Sequence, residues 1–276
     1  MNGKPYLIPP RPEVLLTLTR LVKAEEPDFD TIVETIKTDV SIYTVVLSMA
    51  NSPRYAGVQK FTSLHQVVMR LGLKRLYSLI ELIVLKKSLS KAGRLERFWD
   101  SAIEVAELSA MLAPRVSSED PDTAYTVGML HDCGIPLMIE SYPDYREFLG
   151  AIEGQQVAAL SLQENERYGV DHFSIGAEIA ETWGMPDRVC QAIRLQLQYP
   201  TVLLDASDHS NDSSKTLLCL IMLAKNISER YRRYWRLSSS SPDISDLLPT
   251  LTYLGLSDLD YIDLRDHCLD QLECRA

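Results

Sequence analysis

Glycine and proline are scarce, 12 and 14 in 276 residues, together about 9% of the chain against roughly 12% in average usage. That excludes collagen-like and Pro/Gly-rich disordered chains and disfavours a loop-rich β-protein. Cysteine is scarce too. The five at 133, 190, 219, 268 and 274 form no Cys-x-x-Cys pair, and an odd set without framework spacing fits reduced thiols. Long apolar runs are missing: Leu217 to Ala224 falls far short of the ~18 residues a spanning helix needs. The opening MNGKPYLIPPRP has no apolar stretch of the kind that directs export. Positive charge is in deficit, with a formal net charge of −10, and residues 241–276 hold eight acids against Arg265 and Arg275. Such a balance repels phosphate backbones at long range. These absences describe an acidic, cytoplasmic protein with no membrane partner and no nucleic acid as partner of the whole chain. With 46% apolar residues there is ample material for a core.

What is present reads as helix nearly throughout. Val14, Leu15, Leu18, Leu21 and Val22 share one helical face, just after a Pro9, Pro10, Pro12 run that cannot itself be helical. Ile32, Val33 and Ile36 continue the pattern. Val40 to Ala50 is nearly all apolar, which predicts a helix buried all round. A short helix from Ser63 stops at Gly72, and a longer one runs from Leu73 to Leu89. Lys91-Ala92-Gly93-Arg94 is the first plausible lobe boundary.

Beyond it lies a long helix from Leu95 to Val116. Asp120-Pro121 is a cap and first-turn pair for a helix that carries Met129 to Gly134. Further helices are predicted at 143–152, 156–168, 172–183, 187–196 and from Lys215 to about Arg236, with 201–213 left as loop. Ser257 and Asp260 have capping-box spacing for a final helix. No alternating strand pattern competes. The expectation is an all-α, two-lobed helical bundle. It has one lobe at about 6–92, a second at about 93–236, and residues 237–276 as a linker and acidic tail packed on the domain.

The sharpest local feature is His131-Asp132, since imidazole and carboxylate together suit many divalent ions. Alone the pair is weak, because adjacent His and Asp in a helix are usually an ordinary surface or capping pair. Context strengthens it. In order, the chain carries Pro9-Pro10-x-Pro12 before a leucine-rich helix, Ala50-Asn51-Ser52, Leu71-Gly72-Leu73-Lys74-Arg75-Leu76 and Phe98-Trp99. Then come Gly128-Met129-Leu130-His131-Asp132-Cys133-Gly134, Glu164, Gly169-Val170-Asp171-His172-x-x-x-Gly176 and Trp183-Gly184-Met185-Pro186. This succession, from about residue 6 to 236, resembles the HDOD family, the HD-related output domains of bacterial signalling. The resemblance implies an all-helical fold related to the HD phosphohydrolases and a role that is usually regulatory.

The same resemblance bears on catalysis. An HD phosphohydrolase gathers several His and Asp ligands around one or two metals, so that bound water becomes a nucleophile near neutral pH. His131 and Asp132 are intact here, and His172 stands where a further His ligand is often found. Ser101 stands where the resemblance places the first His, and Leu195-Gln196 where it places a His-His pair. Lys225, after Ala224, stands where the final Asp is expected. The reading is a degenerate site with no metal, no cofactor and no enzymatic activity, in a module that transmits a signal by binding protein or a small ligand. No βαβ alternation marks a receiver or cyclase domain in this stretch, so its partner would be a signalling protein in trans, of receiver, kinase or cyclase type, or the full-length protein would be longer than this chain. The alternative is a metal-dependent phosphohydrolase acting on nucleotides or cyclic dinucleotides. On the bland reading, His131, Asp132 and His172 simply tie helices together by hydrogen bonds.

Other features read as ordinary surface. Arg230 to Arg236 interleaves arginines with Tyr231, Tyr234 and Trp235, a mixture that can stack bases but equally fits a helix C-terminus with its aromatics turned inward. Lys86, Lys87, Lys91 and Arg94 form a second basic cluster, read as a solvated face. His65 and His209 are read as surface or loop residues, and His267 lies in the acidic tail.

Overall fold

A computed structural model of the chain describes residues 5–51, 60–90, 95–151, 157–204, 212–235 and 244–274. The regular elements among them are α-helices and three short 3-10 helices, at Gln196–Gln198, Thr201–Leu203 and Ile244–Leu247. The chain divides into two compact units, Pro9–Lys91 and the remainder. The residues just before Pro9 therefore belong with the larger unit, where Tyr6 donates from its hydroxyl to Glu178 Oε2 at 3.0 Å. Lys91 to Arg94 lie outside the described residues.

The smaller unit holds α1 (Glu13–Val22), α2 (Phe29–Lys37), α3 (Val40–Ala50), α4 (Leu64–Leu71) and α5 (Leu73–Ser88). Helix α5 is its centre, packing on α1, α3 and α4 and burying everything from Leu79 to Leu85. Each such aliphatic side chain contributes ~1.5–3 kcal/mol on removal from water. Gly72 joins α4 to α5 with φ +81°, a conformation in which a Cβ is strained. Asn51, at the end of α3, accepts from Phe61 N at 2.6 Å and donates to Phe61 O at 2.8 Å. The apolar helix α3 is not buried all round. Ile42, Val46 and Ala50 face inward against α2, α4 and α5, while Val45 is 42% exposed. Thr44, Val45 and Ser48 leave the opposite face exposed.

The larger unit contains α6 (Glu96–Val116), α7 (Pro121–Leu130), α8 (Gly134–Ser141), α9 (Tyr145–Ala151), α10 (Val157–Tyr168), α11 (His172–Thr182), α12 (Asp187–Leu195), α13 (Asp212–Ile227), α14 (Glu229–Tyr234), α15 (Leu248–Leu254) and α16 (Asp258–Glu273). Helices α6 and α7 form its most extensive pairing. They approach so closely that a Cβ on Gly128 would lie 2.7 Å from Ala106 Cα. Helix α13 passes through the middle, touching α6, α7, α12, α14 and α15, and Leu217, Leu218, Leu220, Ile221, Leu223 and Ala224 on it are wholly buried. Residues 244–274 pack on this unit: Tyr253 and Leu254 close over Leu218 and Cys219, and Tyr261 and Cys268 are buried. The Ser257–Asp260 capping box is present.

Three departures from the sequence reading stand out. Residues 134–141 and 248–254 form helices that it did not assign. The predicted Lys215–Arg236 helix breaks at Ser228, whose hydroxyl accepts from Tyr231 N at 3.0 Å and donates to Glu104 Oε1 at 2.7 Å, so that it caps α14. No helix among the described residues is long and apolar enough to cross a membrane.

Candidate functional site

His131, Asp132 and Cys133 form the turn between α7 and α8. The turn is held against α11, because a Cβ on Gly134 would fall 1.9 Å from His172 O. This close approach places the His-Asp pair beside His172, the first residue of α11. Helices α12 and α13 supply Lys225 and, just past α12, Gln196.

Asp132 is the hub. Its Oδ1 receives Lys225 Nζ at 3.2 Å, and its Oδ2 lies 3.1 Å from His131 Nε2. His172 Nε2 stands 3.9 Å from Oδ1. Lys225 also donates to Gln196 Oε1 at 2.5 Å, while Gln196 Nε2 donates to the carbonyls of His131 at 2.7 Å and Ile193 at 3.2 Å. The lysine is thus held at both ends of a short chain back to the His-Asp turn. Tyr231 and Phe173 flank it, with ring centroids 5.2 and 5.4 Å from Nζ, within cation–π range.

A second cluster orients His172. Glu164, on α10, accepts from His172 Nδ1 at 2.7 Å and from its backbone N at 3.1 Å through Oε2, and from the Tyr145 hydroxyl through Oε1. His131 Nδ1 lies 2.5 Å from Gly128 O. A carbonyl oxygen only accepts, so the ring carries its proton at Nδ1. None of His131, Asp132, Glu164, His172, Gln196 or Lys225 is more than 8% exposed.

Burial opposes charge on Asp132, but the positive partners His131 and Lys225 outweigh it and hold the carboxyl well below the usual range. Burial pushes the His131 imidazole down against the pull of Asp132. At His172 burial also works against charge, yet the Glu164 carboxylate wins and the pKa rises. Burial lowers Lys225 from its ordinary value, with Asp132 acting in the other direction. Burial and Glu164 both push the Tyr145 phenol up, which keeps it a donor.

The structure therefore brings together His131, Asp132, His172, Gln196 and Lys225. Ser101 is buried on α6 and takes no part in the hydrogen bonds linking these side chains. Leu195 packs in an apolar cluster with Leu203, Leu218 and Cys219. In the sequence Glu164 stands only as one member of the motif succession, Tyr231 only within the Arg230–Arg236 stretch, and nothing marks Tyr145.

As arranged, these donors do not fit a divalent ion. Among the described residues no group of His, Cys, Asp and Glu side chains is placed to hold one, and the carboxylate at the centre already faces an ammonium. At ~4 Å and an effective dielectric of ~20, like unit charges repel by roughly 4 kcal/mol, and a dication by about twice that.

The other features flagged in the sequence lie elsewhere. Arg230 pairs with Glu104 at 3.0 Å and Arg233 with Glu229 at 3.7 Å, while Tyr231 is buried. Trp235 is the last described residue of that stretch. Lys87 lies 4.0 Å from Asp39. His65 is paired with Asp30, and His267 lies against Arg115; His209 is outside the described residues. All five cysteines are free, and burial pushes the Cys133 thiol up, which keeps it a thiol rather than a nucleophilic thiolate.

A family model for the HDOD domain matches residues 8–199. An uncharacterized protein of Treponema pallidum (strain Nichols) is 24% identical over 226 residues, covering 81% of this chain. The chain spans only 42% of that relative's length. Among solved structures, a protein from Shewanella amazonensis named as a phosphohydrolase superimposes with a TM-score of 0.69 at 22% identity, over 96% of this chain and 90% of that one. One from Marinobacter aquaeolei named as a signal transduction protein gives 0.67 at 22% identity, over 96% and 57%. An HDOD domain protein of unknown function from Geobacter sulfurreducens gives 0.64 at 19%, over 95% and 92%. At these identities the structures speak for the helical fold, and the family model, matching well over half the residues, shows that the chain belongs to the HDOD domain family.

Proposed function

We propose that this chain is a non-catalytic signalling module that works by binding, with a protein partner of receiver, kinase or cyclase type supplied in trans. One observation carries the reading: the Lys225 ammonium sits 3.2 Å from Asp132 Oδ1 inside a site whose members are at most 8% exposed. Hydrolysis of the HD type needs a metal to turn water into a nucleophile near neutral pH. Here the carboxylate that would anchor the metal has a protein cation as its partner, and the site offers a substrate little surface. Family membership and a solved relative named as a signal transduction protein support the regulatory role.

The test is hydrolysis. Tag-free protein is incubated with nucleoside phosphates and cyclic dinucleotides in the presence of Mn²⁺ or Fe²⁺, beside Asp132→Ala. The expected outcome is no turnover above that variant. Turnover in the wild type that disappears in Asp132→Ala overturns the reading in favour of a phosphohydrolase.

A further inference from the structure

The larger unit carries an open groove of about 760 Å³ where the end of α6, the start of α13 and helix α15 meet. Its apolar lining comes from Val116, Leu203, Leu204, Leu248, Pro249 and Leu254. Leu203 is buried, but Leu204 is 66% and Leu248 50% exposed. Single exposed leucines are ordinary. Two on one groove, with other apolar side chains in the same lining and hydroxyls of Ser117, Thr216 and Thr252 around them, form the kind of patch that marks an interaction surface. Apart from Val116, these apolar residues lie beyond residue 199, where the match to the HDOD family ends. None of the lining residues belongs to the His-Asp cluster.

Charge at the groove has one sign. The carboxylates in its lining are Glu119 and Asp212. Glu119 is engaged by Arg188 at 3.0 Å and by the Ser213 hydroxyl, whereas Asp212 is exposed. In the described stretches 116–119, 201–204, 212–216 and 244–254 the only lysine or arginine is Lys215, which is 1% exposed. Beyond α15 the chain runs into a second recess of about 410 Å³, where Asp260 and Asp263 stand with Leu256 and Leu264, and Arg115 lies against His267. The net charge of the whole chain is −10. A second copy would set acids against acids, and an anionic bilayer would be repelled, while a cationic segment is drawn in.

We propose that this groove docks a cationic amphipathic helix of a partner protein, whose apolar face covers Leu204 and Leu248 while its lysines or arginines lie along the acidic rim around Asp212. The proposal rests on the reading above that the chain works by binding a protein in trans, and it adds the face and the chemistry of that contact.

The probe is a fluorescein-labelled synthetic peptide of leucine and lysine patterned as an amphipathic helix. It is titrated with the full chain at physiological ionic strength and read by anisotropy. Leu204→Arg/Leu248→Arg adds two cations at exposed positions of the groove. Met69→Arg/Leu162→Arg adds the same charge at positions 87% and 68% exposed elsewhere. The expected result is binding by the wild type, weakened about tenfold or more by the first pair and less than about twofold by the second. Leu204→Ser/Leu248→Ser removes apolar surface without adding charge and must weaken binding in the same direction. It also decides the matter if circular dichroism shows that the arginine pair does not fold. Equal weakening by both arginine pairs overturns the proposal, as does equal binding of a peptide with the same residues in an order that lacks an apolar face. Equal binding of the leucine–glutamate counterpart, or no binding at all, overturns it too. Sedimentation of the chain alone is measured alongside: a wild-type dimer that Leu204→Ser/Leu248→Ser dissociates would give the groove to a second copy and overturn it as well. Each of these failures leaves the non-catalytic reading standing. Turnover lost in Asp132→Ala, in a chain whose groove still binds the peptide, would overturn that reading alone.

Discussion

In the smaller unit Glu81 meets Arg11 at 2.8 Å, and in the larger Asp132 meets Lys225 at 3.2 Å. Each is a carboxylate and a cation enclosed by helices, yet their surroundings differ. Arg11 Nη2 donates to Thr19, Tyr77 and Glu81, and the Arg11 and Glu81 side chains remain 18% and 12% exposed. Burial outweighs Arg11, and the Glu81 carboxyl is pushed above its ordinary value. Asp132, although more deeply buried, is driven the other way by His131, Lys225 and His172. The smaller unit's network leaves Arg11 Nε without a hydrogen bond, whereas the larger leaves His131 Nε2, His172 Nε2 and the Tyr231 hydroxyl. One carboxylate has a cation and the Tyr77 hydroxyl beside it and is still under-compensated for its burial. The other has three basic side chains around it, of which Lys225 is hydrogen-bonded and the two imidazoles keep an Nε2 without a hydrogen bond.

The largest test of that contrast is Asp132→Asn. It strands the Lys225 ammonium in the core, and breaking a buried pair from one side costs about 3–5 kcal/mol. Loss of amide exchange protection in α7 and α13 would register it. Asp132→Asn/Lys225→Met should recover most of the loss, since a buried pair replaced by neutral groups is often tolerated. A single variant no worse than Glu81→Gln would break the comparison.

The next test sets one glycine in each unit against the other. Gly134→Ala places a methyl 1.9 Å from His172 O, a backbone atom that cannot yield without moving α11, and should cost about 3 kcal/mol. Gly72→Ala meets nothing within 4 Å and suffers only its backbone, at φ 81° and ψ 160°, a region all but confined to glycine and worth about 1–3 kcal/mol. Urea midpoints for the two variants check the ratio. Equal losses would mean that α8 and α11 are less tightly coupled than the approach at Gly134 requires.

Much of this was legible in the residues themselves. Leu15 and Leu18 announced α1 by their spacing, and Asp120 and Ser257 announced the starts of α7 and α16 by cap chemistry. Helix α8 was hidden because Gly134 and Pro136 look like breakers. They sit in its first turn, where a missing N–H costs nothing, and the glycine is required by His172 across the interface. The break at Ser228 was hidden for a related reason. A serine within a helical pattern declares itself a cap only when a distant acceptor, here Glu104, is in place. Family order located His131, Asp132, His172 and Lys225, but no local pattern could reveal that Lys225 spans 93 positions to reach Asp132. Nor could it reveal that Glu164 and Tyr145 fix the His172 ring, because those relations exist only after the helices pack.

The smallest effect concerns acid dependence, where the two carboxylates should pull in opposite senses. The Glu81 pKa is raised from 4.5 in the fold, so folding favours its protonated form, and its contribution declines as pH climbs from 4.5 through the folded value. The Asp132 pKa is lowered from 3.8, so its contribution is complete above 3.8 and is lost as pH falls toward the folded value. Glu81→Gln should therefore cost less at neutral pH than Asp132→Asn, because relief of a carboxylate that burial disfavours offsets part of the lost Arg11 contact. Relative to that variant, the wild type should weaken as pH rises just above 4.5 and then level off. Amide exchange in α5 between pH 3 and 7 measures it. A wild type that instead strengthened over that interval would place Glu81 in the same electrostatic class as Asp132, and the distinction between a pair that merely joins helices and a site crowded with positive partners would have to rest on the orphaned imidazoles alone.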